Sequence, residues 1–411
     1  MTRFVHQYFH SIQMQIIGLK IKNYRSLQNI ELKNLPAFCV FVGANGTGKS
    51  TLFDVFGFLR DALTNNIRQA LQIRGGFKEV ITRGHENENI EFEIKFKMKL
   101  LEKERTVTYL LVISQQGLHP IIQKEILCYR RSNHGQPFHV LEFKNGKGYA
   151  ILNEEDFDQT EQELKREEQI LDSPDILAIK GLGQFQRFKA ASALRLLIEN
   201  WHISDLQINL ARGSKDVGYA EHLSTTGDNL PLVAQYISEN YPDIFQKILE
   251  IMKQRVPGIS QVEAKETEDG RIILKFQDET FKYPFIAKSV SDGTIKMFAY
   301  LVLLYDPKPH PLFCIEEPEN HLYPLLLMEL AEEFKAYSLQ KNDLSGQVLV
   351  STHSPDFLNG VDLENIFWLE KQEGITKIYR ANENEILNKL YQEGDLPGAL
   401  WKQGLLGGLN P

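Results

Sequence analysis

Residues 43–50 constrain the fold more than any other part of the 411-residue sequence. They read GANGTGKS, which fits the pattern G-x-x-x-x-G-K-[ST], and an apolar run at 37–42 precedes them. After them, apolar residues recur every three or four positions from about 50 to 63, which predicts a helix with one buried face. A strand, a glycine loop and a helix in this order predict an α/β fold of the P-loop type.

The chemistry of residues 43–50 points to phosphate. Glycines let the backbone wrap an anion with its amide N–H groups turned inward, and the start of the next helix adds roughly half a positive charge. Lys49 is predicted to reach the β- and γ-phosphates, and the Ser50 hydroxyl to hold Mg²⁺. The alternative, an ordinary glycine turn, is disfavoured by the flanking strand and helix. The predicted binding residues are Asn45, Gly46, Thr47, Gly48, Lys49, Ser50 and Thr51.

A second strand pattern, at 312–315, ends in the carboxylates of Glu316 and Glu317. Glu316 is predicted to orient Mg²⁺ through its water shell, and Glu317 to polarise the water that attacks the γ-phosphate. A further buried strand is predicted at 347–351, just before His353, which is predicted to donate a hydrogen bond to the γ-phosphate. Taken singly, the glutamates also fit surface positions and the histidine a structural one. The P-loop upstream favours the catalytic interpretation.

Small residues at 289–294 precede a strongly apolar helix pattern. They open a helix N-terminus, which is a second place where an anion can bind. Because the P-loop already supplies a phosphate cradle, Ser291 and Gly293 are predicted to cap the γ-phosphate held by a neighbouring copy of the chain. This interpretation predicts a homodimer with two nucleotides sandwiched between its subunits.

The order of these motifs resembles that in the ABC-type ATPases of the RecF, SMC and OLD group, over about residues 14–369. The resemblance implies a head-type P-loop fold, ATP as the nucleotide, head-to-tail dimerisation on ATP, and work on DNA or in phage defence. The segments that carry it are the P-loop, Asn-Tyr-Arg-Ser-Leu at 23–27, Arg-Gly-Gly at 74–76, Gly-Asp-Asn-Leu at 227–230, Ser-Asp-Gly at 291–293, Ile-Glu-Glu-Pro-Glu-Asn-His-Leu at 315–322 and Ser-Thr-His-Ser-Pro at 351–355.

The sequence departs from this group in three respects. The signature reads Ser-Asp-Gly-Thr in place of the transporter Leu-Ser-Gly-Gly-Gln, and no Q-loop can be assigned between the candidates Gln69 and Gln72. The sequence contains no long heptad repeat, so an SMC-like coiled-coil arm is not predicted. The stretch after His353 is too short for the Toprim nuclease domain of OLD proteins, so any nuclease or other effector is expected to be a separately encoded partner.

The chain is predicted to divide into six segments, with a P-loop core interrupted by an antiparallel lobe and a helical segment. Strict alternation at 91–100 and turn signals such as Asn145-Gly146 predict the lobe, whose outward lysines are expected to be solvated, with nucleic-acid contact as the alternative. A helix is predicted at 154–170. The segments are an N-terminal extension (1–13), the first part of the ATPase core (14–84), the antiparallel β lobe (85–155), a helical and mixed insertion (156–284), the second part of the core (285–380) and a C-terminal tail (381–411).

Composition narrows the setting of the protein. Hydrophobic residues make up 42% and charged residues 24%, as in folded soluble proteins, and no apolar run is long enough to span a bilayer. We therefore expect a cytoplasmic protein without a membrane partner. The three cysteines form no CxxC pair, so neither a disulfide nor a zinc site is predicted. Because the net charge is −8, a DNA partner is suggested only by the family resemblance.

The function predicted from these observations is Mg²⁺-dependent ATP hydrolysis by a homodimer, in DNA maintenance or anti-phage defence, that drives or gates a separate effector. The first alternative is a nucleotide-binding subunit of a transporter, against which the missing glutamine-bearing signature weighs. The second is an ATP-gated, non-enzymatic scaffold that holds a toxin or nuclease. A small-molecule phosphotransferase is the weakest alternative, because no acceptor pocket is evident in the sequence. The C-terminal tail is predicted to pack on its own domain, with partner docking as the alternative.

Overall fold

The computed structural model describes residues 14–100, 103–130, 137–152, 165–339 and 346–407. The chain divides into two compact units. Unit 1 extends to Trp201 and includes Phe367–Arg380, whereas unit 2 comprises His202–Ile366 and the chain from Ala381 onward. The predicted N-terminal extension lies outside the described residues. The division into six segments stays a prediction.

Unit 1 contains an eight-stranded antiparallel sheet in the order β2-β1-β4-β5-β6-β7-β8-β9. Phe92, Ile94, Phe96 and Met98 are buried on one face of β4, as their alternation with charged residues predicts. The predicted antiparallel meander is therefore confirmed. The strands are β1 (Met14–Tyr24), β2 (Leu27–Lys33), β4 (Ile90–Leu100), β5 (Lys103–Gln116), β6 (His119–Tyr129), β7 (Phe138–Lys144), β8 (Lys147–Ile151) and β9 (Arg166–Ile170).

The last strand of this sheet corrects the sequence interpretation. A helix was predicted at 154–170, but Arg166–Ile170 forms β9 and pairs antiparallel with β8, with Glu168 opposite Tyr149. Glutamate, glutamine and arginine favour a helix locally, and backbone pairing along the exposed edge of β8 overrides that preference. The first part of the predicted helix, 153–164, lies outside the described residues.

The P-loop strand of unit 1 is fully buried. This strand, β3, lies beside β17, which lies beside β18. The Phe41 ring of β3 stacks on Phe367 of β17, with 5.3 Å between ring centroids. The remaining elements of unit 1 are β3 (Phe38–Val42), β17 (Ile366–Gln372), β18 (Ile375–Arg380), α1 (Lys49–Thr64), α2 (Ile67–Ile73), α3 (Phe77–Val80), α4 (Ala178–Leu182) and α5 (Lys189–Glu199).

Unit 2 contains three parallel strands, β10 (His202–Ser204), β15 (Leu312–Glu316) and β16 (Gln347–Thr352), with β15 in the middle. A smaller antiparallel sheet is centred on β13 (Arg271–Asp278), which pairs with β11 (Lys215–Asp216), β12 (Ile259–Glu266) and β14 (Phe285–Ile286). The helices of unit 2 are α6 (Ile208–Ala211), α7 (Leu230–Asn240), α8 (Pro242–Arg255), α9 (Asp292–Leu304), α10 (Pro324–Ser338), α11 (Pro355–Leu358), α12 (Glu385–Gln392) and α13 (Pro397–Lys402).

Helix α9 forms the core of unit 2. Every residue from Thr294 to Leu304 is buried, and the helix contacts α6, α7 and α8. Toward the C-terminus, α13 packs on α11, where the Gly398 N–H donates to Asn359 Oδ1 (2.9 Å). Helices and sheets of both kinds make this an α/β protein, as predicted. Of the helices in the described part of the chain, none is long and apolar enough to cross a membrane.

Candidate nucleotide site

The P-loop has the strand, loop and helix that its sequence predicts. Helix α1 begins at Lys49, and Gly48 precedes it with φ of 107°, a left-handed conformation that glycine adopts readily. No described side chain caps the first turn of α1. Helix N-termini that lack a side-chain cap offer their backbone N–H groups to an anion. The start of α1 therefore has the donor set of a phosphate site.

Lys49 helps to shape the loop. Its buried Nζ donates to the carbonyl oxygens of Gly43 (2.7 Å) and Ala44 (3.2 Å). The Thr47 hydroxyl donates to the same Ala44 oxygen (2.9 Å). At the exposed tip, a Cβ added to Gly46 would meet no atom within 4 Å, so the loop is open to a ligand on that side.

Thr376 on β18 supports the loop from behind. Its fully buried hydroxyl donates to the Thr47 carbonyl oxygen (2.8 Å) and lies 2.8 Å from the Ser26 hydroxyl. Its backbone N–H donates to the Ser26 carbonyl oxygen (2.9 Å). A Cβ on Gly48 would lie 2.3 Å from the Thr376 hydroxyl oxygen, so only glycine fits there. Sequence analysis missed Thr376, because nothing near it in the chain marks its role.

Two arginines from the family-like segments meet at Asp54 on α1. Arg25 Nη1 lies 3.0 Å from Asp54 Oδ2, and Arg74 Nε lies 2.7 Å from Asp54 Oδ1. Arg74 also pairs with Asp61, about two turns further along α1 (2.8 Å). The Tyr24 hydroxyl donates to Asp54 (2.7 Å), and burial together with this carboxylate raises the tyrosine pKa. These contacts fix the helix that begins at the P-loop.

In unit 2, β15 ends at Glu316, which lies opposite Ser351 of the parallel strand β16. Glu317 follows in a left-handed conformation (φ 45°), and its N–H donates to the Ser351 carbonyl oxygen (2.9 Å). Its carboxylate Oε1 lies 3.6 Å from His353 Nδ1. The structure therefore brings Glu317 and His353 together, and the positive φ marks a turn held in an uncommon conformation.

Glu319 links the turn after β15 to the end of β16. Its Oε1 accepts hydrogen bonds from the His353 N–H (2.8 Å) and the Thr352 hydroxyl (2.9 Å), and His353 Nδ1 lies 3.2 Å away. The side chain is nearly buried. Sequence analysis assigned no role to Glu319, although it is the third carboxylate of Ile-Glu-Glu-Pro-Glu. It positions His353 beside Glu317.

Lys296 on α9 holds the same turn from the other side. Its buried Nζ donates to the carbonyl oxygens of Asn320 (2.7 Å) and Glu317 (3.5 Å). Burial lowers the pKa of Lys296 to about 8. Sequence analysis missed Lys296 too. A lysine within an apolar helix is unusual, but the sequence does not indicate which distant group it contacts. Its contacts tie helix α9 to the residue predicted to act on water.

The signature residues lie at the N-terminus of α9. Ser291 is exposed. Its hydroxyl accepts a hydrogen bond from the Thr294 N–H (3.2 Å), so Ser291 caps helix α9. Gly293 packs against the turn after β15, where a Cβ would lie 3.2 Å from the His321 carbonyl oxygen. Asp292 pairs with Arg212. Ser291, Asp292 and Gly293 line an open groove of about 740 Å³, together with residues 254–257, 321–326 and Glu329.

The predicted site residues thus fall into two sets. Asn45 to Thr51 lie in unit 1, and Ser291, Gly293, Glu316, Glu317 and His353 lie in unit 2. Within unit 2, Glu317 and His353 meet, and Ser291 and Gly293 share a groove with the turn that follows Glu317. The individual roles given to these residues stay predictions.

Residues 38–359 match a family model described as "AAA domain, putative AbiEii toxin, Type IV TA system". The chain belongs to this AAA-domain family. No curated protein matches its sequence.

The AAA-domain chain shares its fold with a solved SMC head. A structure entitled "Crystal structure of the SmcHead bound to the C-winged helix domain of ScpA" is 15% identical, with 89% of this chain and 97% of that one covered and a TM-score of 0.53. The head-type P-loop fold implied by the resemblance to the ABC-type ATPases of the RecF, SMC and OLD group is confirmed. Two further SMC head structures have lower TM-scores. The Smc head with an extended coiled coil, from Pyrococcus furiosus, has a TM-score of 0.48 and 14% identity, with 93% of this chain and 100% of that one covered. The SMC head domain from Thermotoga maritima has a TM-score of 0.44 and 15% identity, with 89% and 98% covered.

Proposed function

We propose that this AAA-domain protein binds ATP and Mg²⁺ at residues 45–51 and hydrolyses ATP. The observation that carries the proposal is the P-loop itself. Its buried Lys49 donates to two loop carbonyls, and the helix that begins there has an N-terminus that no side chain of the described residues caps. The residues fit the ligand: backbone N–H groups and an ammonium suit a triphosphate. A hydroxyl and a carboxylate suit a hard cation such as Mg²⁺.

Each predicted residue takes a role in this proposal. Lys49 binds the β- and γ-phosphates, and Ser50 and Glu316 hold Mg²⁺, which when bound neutralises phosphate charge. Glu317 accepts a proton from the attacking water, and His353 donates to the γ-phosphate. The left-handed turn at Glu317 and its contacts with His353 and Lys296 support a carboxylate kept in one orientation.

We propose further that ATP joins two copies of the chain, with Ser291 and Gly293 capping the γ-phosphate bound by the other copy. The signature groove is open, and it is flanked by exposed apolar side chains, Tyr323 (66% exposed) and Leu325 (72%). Apolar side chains exposed together beside a polar groove are typical of protein interfaces. This surface supports a homodimer that closes over nucleotide.

The biological setting that we propose is anti-phage defence or DNA maintenance, with a separately encoded effector. The description of the family as a type IV toxin–antitoxin system supports defence over a transporter subunit. The SMC head named above was solved with a bound ScpA domain, which supports a protein partner for this chain. DNA as a partner and a cytoplasmic location stay as predictions from the sequence.

The decisive experiment compares two variants. Lys49→Ala should raise the ATP dissociation constant by about tenfold or more in calorimetry, because a charged donor to phosphate is lost. Glu317→Gln should bind ATP normally and lose about a hundredfold or more in turnover, because proton transfer is removed. Light scattering should show the ATP-bound Glu317→Gln protein as a dimer. Unchanged binding in the first variant, or unchanged turnover in the second, contradicts the assigned role.

Matched controls come from the exposed end of β12, which carries Lys265, and from the turn that follows it, which carries Glu268. Lys265→Ala and Glu268→Gln make the same chemical changes at exposed positions and should leave binding and turnover as in the wild type. A wild type that binds ATP without turnover would favour the ATP-gated scaffold. Proteins that co-purify with ATP-trapped Glu317→Gln identify the effector, and pelleting with membranes would instead support the transporter alternative.

A further inference from the structure

Three ligand-bearing side chains from two separate segments meet in unit 2, none of them a residue of the proposed nucleotide site. The ligand atoms of His222, Asp306 and His310 all lie within 4.8 Å of one another. His222 Nδ1 lies 2.7 Å from Asp306 Oδ2, although the two residues are 84 positions apart. Imidazole nitrogens and a carboxylate oxygen are the ligands that Zn²⁺ and related first-row transition ions bind. We propose that His222, Asp306 and His310 bind one zinc ion.

Burial and rigidity favour a built site over a chance cluster. The Asp306 side chain is 2% exposed and the His222 side chain 35%, so an ion would enter from the His222 side. Asp306 and His310 are four residues apart, and Pro307, Pro309 and Pro311 restrict the backbone between and after them. A segment that is already stiff loses little conformational entropy when it closes on an ion.

Neighbouring groups hold the three ligands in place, as the outer contacts of metal sites do. The second oxygen of Asp306 accepts from the Lys308 N–H (2.8 Å). The His222 carbonyl oxygen accepts from Asn229 Nδ2 (2.9 Å), which anchors the loop before α7. The His310 ring packs against His202, with 5.0 Å between ring centroids.

Zinc bonds of about 2.0–2.2 Å require ligand atoms roughly 3.3 Å apart. The longest separation in the cluster, up to 4.8 Å, therefore needs to shorten by about 1.5 Å. The His222 and Asp306 atoms, 2.7 Å apart, need to separate by roughly 0.6 Å, and side-chain rotation of the partly exposed His222 can supply this movement. Three protein ligands leave a fourth position for water.

The site is distinct from the proposed Mg²⁺ site. Asp306 follows the C-terminal end of α9, whose N-terminal end carries Ser291, roughly 20 Å away for 13 residues of helix. His310 precedes β15, and Glu316 lies roughly 20 Å further along the strand. A bound ion would therefore connect the C-terminal end of α9 to the N-terminal end of β15. The opposite ends of these two elements carry the signature residues and the carboxylates.

The test uses the full-length protein, stripped with EDTA and titrated with ZnCl₂ in the absence of nucleotide. One equivalent should bind with a micromolar or tighter dissociation constant and raise the thermal unfolding temperature. His222→Ala should weaken binding at least about a hundredfold and abolish the thermal shift. Because His222 is half-exposed, this variant should fold. His310→Ala and Asp306→Asn should behave in the same way.

The control is His119→Ala, which removes an exposed histidine at the start of β6 and should bind zinc as the wild type does. X-ray absorption at the zinc edge should show two imidazole ligands in the wild type. Absence of stoichiometric binding would reduce the cluster to a His222–Asp306 ion pair and overturn the proposal. Binding that survives both His222→Ala and His310→Ala would assign the ion to other histidines and overturn it equally.

Discussion

Replacing Thr376 by valine tests whether the distant strand β18 holds the P-loop in its binding conformation. The change keeps the side-chain shape and removes a fully buried hydroxyl that donates to the Thr47 carbonyl oxygen at 2.8 Å. Leaving a buried acceptor without its donor costs about 1–3 kcal/mol. We therefore expect the free energy of unfolding, measured in urea, to fall by about that amount.

The loss of the hydrogen bond between Thr376 and Thr47 should also weaken nucleotide binding. In Thr376→Val, ATP has to restore the loop conformation as it binds, so most of this free energy is subtracted from the binding free energy. Each 1.4 kcal/mol corresponds to about a factor of ten in affinity. We expect the ATP dissociation constant, measured with a fluorescent analogue, to rise about tenfold.

Thr376→Ser is the matched control for this prediction. It keeps the hydroxyl and removes only a methyl group, so it should lose up to about 1 kcal/mol of stability and bind ATP within about twofold of the wild type. A valine variant that binds ATP as tightly as the serine variant would show that the hydroxyl does not hold the loop, and the reasoning would fail.

Three further predictions concern Gly48, Glu125 on β6 and Lys296. Gly48→Ala should abolish ATP binding in calorimetry, because its Cβ would lie 2.3 Å from the Thr376 hydroxyl oxygen at a positive φ; binding within threefold of the wild type would contradict this. Burial raises the pKa of Glu125 to about 7, so its contribution to stability is complete below pH about 4.5 and is lost as pH rises through about 7. The free energy of unfolding should therefore fall by roughly 2.5 kcal/mol between pH 5 and pH 8 in the wild type, and by less in Glu125→Gln. Burial lowers the pKa of Lys296 to about 8, so its contribution is complete above pH about 10.5 and is lost as pH falls through about 8. Wild-type stability relative to Lys296→Met should accordingly rise between pH 7.5 and 10, and parallel curves would refute the assignment.

Local patterns account for the elements that carry the site. The spacing of residues 43–50 and their flanks predicted β3, the loop and α1, because glycine conformations and helical periodicity are properties of a short stretch of chain. The alternation at 91–100 predicted β4 for the same reason. At 154–170 the local preference was misleading, since pairing with β8 decided the conformation of Arg166–Ile170.

The contacts that complete these elements depend on residues far apart in the chain. Thr376 meets Ser26 across 350 positions, and His222 meets Asp306 across 84. Hydrophobic periodicity in the sequence does not predict such long-range contacts, because they form only when separate strands and helices pack together. The sequence by itself determined which segments form the P-loop and which strand ends in the two carboxylates. Only the tertiary structure decided which side chains hold Thr47, Glu317 and His310 in place, because a buried polar group takes its partner from whatever packing brings within hydrogen-bond distance.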